Sequence, residues 1–464
     1  MILRARAIVT MDGPPIANGA VAIEGNRIIA VGPLAEVAAA GGPVLDLGEV
    51  ALLPGLINAH CHLDYSMMRN AISRPKSFTA WVQQINALKR SLDNDDYLAA
   101  IRHGFAELRQ WGTTSVCNIE TFPELMPHLG PSPLRTWWFY EMIDIRHRIT
   151  SDDVVAGALA FFQHRENSLD HSGLSPHAPY TASVSLYQLA NTCGDAFAMP
   201  LTTHVAESRE EFAMFRDGCG PLYDFMAALQ RPMGDCGKDT PFGLLWRRGA
   251  IHGRWLLAHM NELTEDDFAL LASLPPGGAP SIVHCPGSHR YFEHTPFEFR
   301  RLHDLGVNLC TGTDSLASTR SLSLFEELRS LGKTDPWLTA EQLLRTVTVN
   351  PARALRRRGQ LGQITPGALA DLITVPVSGK LATVHEEIVQ HELPITWTML
   401  DGQILAQSHA AAGRRSRGGA RDAAWREEKG ACHPDRARGG EKSRAETAPR
   451  AREPDEKTAP RRAR

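Results

Sequence analysis

The sequence lacks several features that would place it in particular classes of protein. It has no apolar run of the roughly 18 to 20 residues that a membrane-spanning helix requires, and its start, MILRARAIVTMDG, has no long apolar segment typical of secretion signals. Its eight cysteines are scattered, with neither a C-x-x-C pair nor disulfide-like spacing. We therefore expect a cytoplasmic protein whose thiols are reduced and packed in the core.

A dinucleotide-binding signature is also absent, because no G-x-G-x-x-G motif follows the first apolar run. An open, doubly wound nucleotide-binding sheet thereby loses its main support in the sequence. What is present is an ordinary globular composition: 464 residues, of which 43% are hydrophobic. This length and composition can bury a large core in one big domain or two.

Aliphatic residues are missing from the last segment, residues 409–464, which contains no Ile, Leu, Val, Met or Phe. The segment has 16 Lys and Arg against 9 Asp and Glu, a net charge of +7. It cannot bury enough apolar surface to offset the entropy lost on ordering. We predict a disordered basic tail, which we expect to be dispensable; a tether to nucleic acid or to an acidic surface is the less favoured alternative.

The remaining chain alternates between short apolar runs and stretches with helical spacing. Eight such runs occur in order, namely LLPGLINAH, TTSVCNIE, LRTWWFYEM, HSGLSPHAP, PLTTHVAE, WLLAHM, SIVHCPGS and VNLCTGTD. Eight strands that alternate with helices over this length predict a (β/α)8 TIM barrel at 53–361. Further strands at 1–52 and 362–408 predict a small, β-sandwich-like composite domain built from both ends.

The stretch INAHCHLDY offers three metal-binding side chains, His60, Cys61 and His62. A zinc finger would use the cysteine. On a strand, however, successive side chains point to opposite faces, so His60 and His62 share one face and Cys61 takes the other. The pattern favours the two histidines as metal ligands.

Other polar residues follow the ends of later runs, where a barrel enzyme keeps its chemistry. They are His177, His204, Glu207, His259 and Asp314. Any one strand-end histidine is more often structural, but together these residues offer imidazoles and carboxylates at one barrel mouth. Three imidazoles and a carboxylate form a site typical of zinc or ferrous iron.

The motifs PGLINAHCHLD, SPHAPYT, THVAES, LAH, HCPGS and TGTDS, in this order, resemble the amidohydrolase superfamily. The likeness is to its mononuclear chlorohydrolase and deaminase branch, which includes cytosine, guanine, S-adenosylhomocysteine and aminofutalosine deaminases, and it covers about residues 1–408. One departure is that Gly287, Ser288 and His289 follow HCP, where the family often has a Ser-Asn pair.

This resemblance implies the roles of individual residues. His60, His62, His204 and Asp314 would bind the metal ion. Glu207 would shuttle a proton, His259 and Asp314 would assist the attacking water, and His177 would contact the substrate. Binuclear relatives usually need a carboxylated lysine on the fourth strand, and HSGLSPHAPY has none. We therefore predict one divalent ion, zinc first and iron second.

The resemblance predicts a metal-dependent hydrolytic deaminase that releases ammonia from a small aminated heterocycle. The favoured substrate is an adenine-type nucleoside such as aminofutalosine or an S-adenosylhomocysteine-like compound. A chlorohydrolase or cyclic-amide hydrolase of the same fold, and a non-catalytic ligand-binding barrel, stay as alternatives. The sequence does not determine the oligomeric state, and a homo-oligomer is one of the possibilities.

Contacts to the substrate are less defined by the sequence. The segment DYSMMRNAISRPKSFTAWV predicts either an apolar lid over a flat ring or a core-packed helix. Arg146 and Arg148 are candidates for binding a carboxylate. Glu120 and Glu141 are candidates for holding ribose hydroxyls.

Removing the tail after His409 is expected to leave thermal stability and turnover unchanged, because the segment has no aliphatic side chains to bury. Thermal unfolding and steady-state kinetics of the full and shortened chains measure both. A substantial drop in either quantity would show that the tail docks on the body.

Overall fold

A computed structural model of the chain describes residues 1–39, 41–145, 149–162 and 168–405. The predicted disordered tail at 409–464 lies outside the described residues. Within them, no helix has the length and apolar character needed to cross a bilayer.

The described residues form eighteen strands. In chain order these are β1 (Ile2–Arg4), β2 (Ala7–Ile8), β3 (Ile16–Ala17), β4 (Gly19–Glu24), β5 (Arg27–Pro33), β6 (Val44–Asp46), β7 (Val50–Pro54), β8 (Leu56–Cys61), β9 (Thr113–Glu120), β10 (Arg135–Met142), β11 (Asp170–Pro176), β12 (Leu201–Val205), β13 (Trp255–His259), β14 (Ser281–His284), β15 (Leu309–Thr311), β16 (Leu372–Pro376), β17 (Thr398–Leu400) and β18 (Gln403–Ile404).

The same residues form fifteen α-helices. They are α1 (Leu34–Ala38), α2 (Phe78–Lys89), α3 (Asn94–Gln110), α4 (Ser151–Phe162), α5 (Val184–Ala196), α6 (Arg209–Asp217), α7 (Pro221–Ala228), α8 (Pro241–Arg247), α9 (Glu265–Ala272), α10 (Pro286–Phe292), α11 (Phe299–Asp304), α12 (Leu324–Thr334), α13 (Ala340–Arg345), α14 (Val349–Ala354) and α15 (Val384–Val389). Short 3₁₀ helices lie at Leu63–Met68, Pro123–His128 and Leu381–Thr383.

Strands β8 to β15 form one sheet of eight strands, parallel throughout and paired in chain order. The sheet closes where the backbone N–H groups of Thr313 and Asp314 donate to the carbonyl oxygen of His60, at 3.1 and 3.0 Å. Most strand residues are buried, as expected when helices cover the outer face and side chains fill the interior. The predicted (β/α)8 barrel is confirmed.

Helices that the sequence predicts between these strands begin with side-chain caps. Asp93 and Asp96 form a capping box at the start of α3, and the Ser183 hydroxyl accepts the backbone N–H of Leu186 in α5. Such caps satisfy backbone donors that would otherwise lack a partner, so they fix where each helix begins.

The run LLPGLINAH is not one strand, as its apolar character suggested, but two. Its first part belongs to β7, which pairs with β16 in another sheet, and its second part belongs to β8 in the barrel. Gly55 separates them, and a Cβ there would lie 2.1 to 2.6 Å from side-chain atoms of Thr114. Glycine therefore allows the chain to pass closely over β9 as it changes sheets.

Two further sheets lie outside the barrel. One has the order β5-β4-β1-β6, and the other, β18-β17-β16-β7-β2-β3, joins strands from both ends of the described chain. Buried side chains from the two sheets share one apolar cluster, including Leu3, Ile8, Leu52 and Leu372. The domain boundaries at 1–52, 53–361 and 362–408 stay a prediction.

Barrel closure depends on close backbone contact at Gly312, next to the end of β15. A Cβ at this position would lie 2.8 Å from Cβ, N and O of His60. Gly312→Ala is expected to lower the free energy of unfolding by about 1 to 3 kcal/mol, because the neighbouring strand must move. Denaturant unfolding measures the loss.

Gly13→Ala is the matched control, because a Cβ at Gly13 meets no atom within 4 Å. It is expected to leave the unfolding free energy nearly unchanged. Equal stability of the Gly312→Ala protein and the parent would contradict the close-contact argument.

Candidate active site

The barrel brings the predicted site residues to the carboxyl edge of its sheet. His60 lies in β8 and His62 directly after it, His204 lies in β12, His259 ends β13, and Asp314 follows β15. All five side chains are buried or nearly so. The structure therefore brings together residues that are up to 254 positions apart, as the separation of His60 from Asp314 in the numbering shows.

Three imidazoles form the centre of the cluster. Ligand nitrogens of His60, His62 and His204 all lie within 4.8 Å of one another. The Nε2 atoms of His62 and His204 face each other at 3.2 Å. Two nitrogens at this distance can share a proton or jointly contact a cation.

Several of these nitrogens have no protein partner. Both ring nitrogens of His60, Nδ1 of His62 and Nε2 of His259 are buried without a hydrogen bond from the described residues. Burial lowers the pKa of His60 to about 3 and that of His204 to about 4, so both rings are neutral. Neutral imidazole is the form that binds metals, and buried polar atoms without partners are costly. The residues present therefore fit a divalent metal ion.

His204 is oriented by a contact on its far side. Its Nδ1 lies 2.8 Å from the carbonyl oxygen of His177, which can only accept a hydrogen bond. Nδ1 therefore carries the hydrogen, and the lone pair of Nε2 points at the cluster. Such outer contacts commonly fix the tautomer and direction of metal-binding histidines.

Asp314 is held by two serines, neither of which the sequence analysis predicted as a site residue. The hydroxyls of Ser288 and Ser318 donate to its Oδ2 at 2.6 and 3.1 Å. Its Oδ1 faces the Nε2 atoms of His60 and His62, at 3.8 Å from each. Ser288 stands where the family often has a Ser-Asn pair, so only the departure noted in that motif could have drawn attention to it.

The backbone turns sharply where these side chains enter the site. Ala206, His259 and Asp314 have positive φ angles of 51°, 75° and 58°. Non-glycine residues adopt this region at a cost on the order of 1 kcal/mol or more, usually where surrounding contacts impose it. The strain lies at three strand ends that meet at the cluster.

Glu207 and His259 form a second group with Asp314. Their ligand atoms lie within 4.8 Å of one another, and Oε1 of Glu207 is 3.7 Å from Nε2 of His259. Burial, reinforced by the charge of Asp314, raises the pKa of Glu207 well above its ordinary value. A carboxyl with a raised pKa keeps its proton to a higher pH than an ordinary glutamate does, which suits a group that donates a proton.

Glu207 directly precedes the residue that caps helix α6 and does not cap the helix itself. The cap of α6 is Ser208, whose hydroxyl accepts the backbone N–H of Glu211. Glu211 in turn accepts the backbone N–H groups of Ala206 and Glu207, at 3.1 and 2.7 Å. Glu211 was not predicted, and it fixes the backbone that presents the Glu207 side chain.

A cavity of about 350 Å³ opens over both groups. Its walls include His62, His177, His204, Glu207, His259 and Asp314, together with the apolar side chains of Phe78, Trp81, Val82, Ile85, Ile143, Ile145, Phe225, Met226 and Leu229. His177 is held by a 2.6 Å contact between its Nδ1 and the Thr181 hydroxyl. A mostly apolar pocket with a few directed polar groups is typical of small-molecule sites.

The predicted lid segment is divided between two environments. Tyr65, Phe78 and Trp81 line the cavity, whereas Met68 does not line it and packs in a buried cluster behind Tyr65 and Trp81, and Met67 is 57% exposed. Glu141 lines the cavity, but Glu120 does not. Arg146 and Arg148 lie outside the described residues.

A comparison with known protein families matches residues 51–405 to the amidohydrolase family. The chain belongs to the amidohydrolase family. Members are metal-dependent hydrolases, which agrees with the two groups of buried ligand atoms.

Relatives of this amidohydrolase include named deaminases. It is 28% identical over 390 residues to a 5-methylthioadenosine/S-adenosylhomocysteine deaminase of Pyrococcus furiosus, with 81% of this chain and 86% of the relative covered. It is 30% identical over 319 residues to an aminodeoxyfutalosine deaminase of Deinococcus radiodurans, with 66% and 74% covered.

A solved structure is similar to this amidohydrolase over most of its length. The structure of an adenosine deaminase from Xanthomonas campestris with bound zinc superposes with a TM-score of 0.72 at 25% identity. The similarity covers 87% of this chain and 92% of that one.

Cys61 of this amidohydrolase lies away from the ligand cluster, as strand alternation predicts. It packs among apolar side chains that include Leu63, Ile101 and Trp138. The seven described cysteines are free of disulfide bonds, and five of them are buried. Their packing agrees with the predicted core role.

Replacing His62 by Ala is expected to lower metal content sharply from about one ion per chain, because it removes one of three converging imidazoles. Cys61→Ala, one residue away, is the matched control and is expected to leave metal content almost unchanged. Elemental analysis of the purified proteins measures both. Two ions per chain, or loss of metal in the Cys61→Ala protein, would contradict the assignment.

Proposed function

We propose that this amidohydrolase is a hydrolytic deaminase that releases ammonia from an adenine-type nucleoside. One observation carries the proposal: the imidazole cluster and the Glu207 carboxyl open onto the same apolar-walled cavity. The names of the relatives from Pyrococcus and Deinococcus support the choice of an adenine-type nucleoside. This substrate class is the one that the sequence analysis predicts.

His60, His62, His204 and Asp314 hold the metal ion, and that ion is zinc. Three imidazoles and one carboxylate are a donor set that suits zinc, and the similar Xanthomonas structure has zinc bound. When bound, such an ion lowers the pKa of a water molecule from 15.7 toward about 7 and so supplies a nucleophile at neutral pH.

The acidic side chains of the site move the protons. Asp314 Oδ1 faces the imidazole cluster and accepts the proton that the attacking water loses. Glu207, whose carboxyl lies in the cavity wall, delivers a proton to a ring nitrogen of the substrate. His259, 3.7 Å from Glu207, contacts the attacking water. The amino group then takes the proton held by Asp314 and leaves as ammonia, while the new hydroxyl group gives its proton back to Glu207 and the ring carbon becomes planar again.

The apolar walls hold the flat ring and limit the access of water. Phe78 and Trp81 stack with their ring centres 6.2 Å apart on one side of the cavity. His177, next to His204 with ring centres 5.0 Å apart, also lines the cavity and contacts the substrate there. Both features favour a planar heterocycle over an extended peptide or sugar chain.

Purified, zinc-loaded protein is expected to release ammonia from at least one member of a panel of purines, nucleosides, pterins and triazines. Chloride release from a chlorinated triazine, without ammonia from any amine, would instead support the chlorohydrolase alternative. Tight binding without any turnover would support a ligand-binding barrel.

Glu207→Gln is expected to keep the fold and the metal but to slow turnover by about 10²- to 10⁴-fold, the usual share of a positioned acid or base. The loss should appear in both kcat and kcat/KM, because the proton moves in the transition state. Glu265→Gln, at an exposed position, is the control with the same chemical change. A Glu207→Gln enzyme within a few-fold of the parent would remove Glu207 from the mechanism.

A further inference from the structure

One face of helix α2 forms a wall of the cavity. The lining residues from this helix are Phe78, Trp81, Val82, Ile85, Asn86 and Lys89. Their spacing of three, one, three, one and three residues is that of a single helical face. The first four side chains are apolar and the last two are polar. The wall therefore changes from apolar to polar toward the C-terminal end of the helix.

Lys89 at the polar end of this wall is held in place by an aromatic side chain of the site. Its ammonium group donates a 2.7 Å hydrogen bond to the Tyr65 hydroxyl. It also lies 5.0 Å from the centre of the Tyr65 ring and 5.2 Å from that of Phe122. Contacts of this kind orient an ammonium group.

Tyr65 connects Lys89 to the imidazole cluster. Its ring stacks on that of His62, with centres 5.6 Å apart and an angle of 6° between the planes. The Lys89 ammonium group thus lies one aromatic ring beyond His62. This separation places it beside the part of a bound nucleoside that is remote from the reacting ring atom.

Lys89 has no carboxylate oxygen of the described residues within 4.0 Å of its ammonium group, although its charge acts on the nearby Asp64 carboxyl. It is also the one Lys or Arg among the described residues that line the cavity. Of the three carboxylates there, Glu207 and Asp314 belong to the reacting end, and Glu141 lies 3.9 Å from His177. An ammonium group with free donors therefore faces the ligand space.

From this arrangement we infer that Lys89 is a specificity-determining residue that binds a carboxylate on the remote end of the substrate. The inference rests on the proposed deaminase function and adds to it the charge of the substrate. Asn86, one helical turn before Lys89 on the same wall, offers a neutral donor beside it. An anion in a partly desolvated cavity gains more from such a charge than it would in water.

If the role of Lys89 were purely structural, a different result would be expected. Lys89 lies in the last turn of α2, where a cation interacts favourably with the helix dipole. Burial raises the pKa of the nearby Asp64 carboxyl, and the charge of Lys89 opposes this rise. Loss of either contribution would weaken the fold and would affect all substrates equally.

The test uses two substrates that differ only in charge: a 5′-thioadenosine whose thioether chain ends in a carboxylate, and the corresponding uncharged amide. The parent enzyme is expected to prefer the acid. In the Lys89→Met enzyme the ratio of kcat/KM for acid over amide should fall by about 10- to 100-fold, the range for a charge-assisted hydrogen bond. The change should lie mainly in KM, because the carboxylate does not react.

Two further variants serve as controls. Lys89→Arg keeps the charge and should retain most of the preference for the acid. Lys76→Met makes the same chemical change at an exposed position just before α2 and outside the cavity lining, and should leave the ratio unaltered. Calorimetric binding of the deaminated acid and amide products gives a readout that needs no turnover, and Lys89→Met should weaken binding of the acid product selectively.

The outcomes separate this inference from the proposed function. Equal losses on acid and amide, or an unchanged ratio in the Lys89→Met enzyme, would overturn the role of Lys89 while leaving a deaminase in place. Binding of the acid product that depends on Lys89, without ammonia release from any substrate, would support the role of Lys89 and overturn the deaminase. Absence of both turnover and binding would overturn both.

Discussion

Closure of the parallel sheet between β15 and β8 is the contact on which the candidate site depends. The carbonyl oxygen of His60 accepts two backbone N–H groups from the segment after β15. The Asn58 side chain adds a 2.8 Å hydrogen bond to the Thr313 hydroxyl across the same seam. The interactions that close the barrel therefore also place a histidine of its first strand beside an aspartate that follows its last. The same contacts therefore serve the fold and the geometry of the site.

Closure of the barrel brings together polar groups whose hydrogen-bonding capacity the described residues do not satisfy. Ring nitrogens of His60, His62 and His259 are buried without partners among the described residues. Their desolvation opposes folding, because each nitrogen has lost hydrogen bonds to water without gaining one from the described residues. A cation that binds them returns part of that free energy, so metal affinity and stability are linked. The hydrogen bonds from Ser288 and Ser318 to Asp314, and the one from His204 to a backbone carbonyl oxygen, limit how far these side chains can move when no cation is bound.

The sequence predicted those parts of the site that follow from local periodicity. Alternation along one strand was enough to separate His60 and His62 from Cys61, and eight apolar runs were enough for the barrel. Ser318, Glu211 and Lys89 could not be found in this way, because their contacts join segments distant in sequence or depend on the direction of a helix. The break of LLPGLINAH into two strands was missed for a related reason, since the position of Thr114 opposite Gly55 is a tertiary fact.

His177 contacts one of the proposed metal ligands through its peptide group and lines the cavity with its ring. Its carbonyl oxygen accepts both the backbone N–H and the ring Nδ1–H of His204, at 2.9 and 2.8 Å, while its own ring lines the cavity. A change of substrate preference made at this strand end would therefore disturb the contact that orients His204, one of the proposed metal ligands. Helix α2, whose lining residues include none of the residues assigned here to the metal ion, has no such restriction. Within this barrel, substitutions on helix α2 can therefore change substrate specificity with less effect on the imidazole cluster than substitutions at His177.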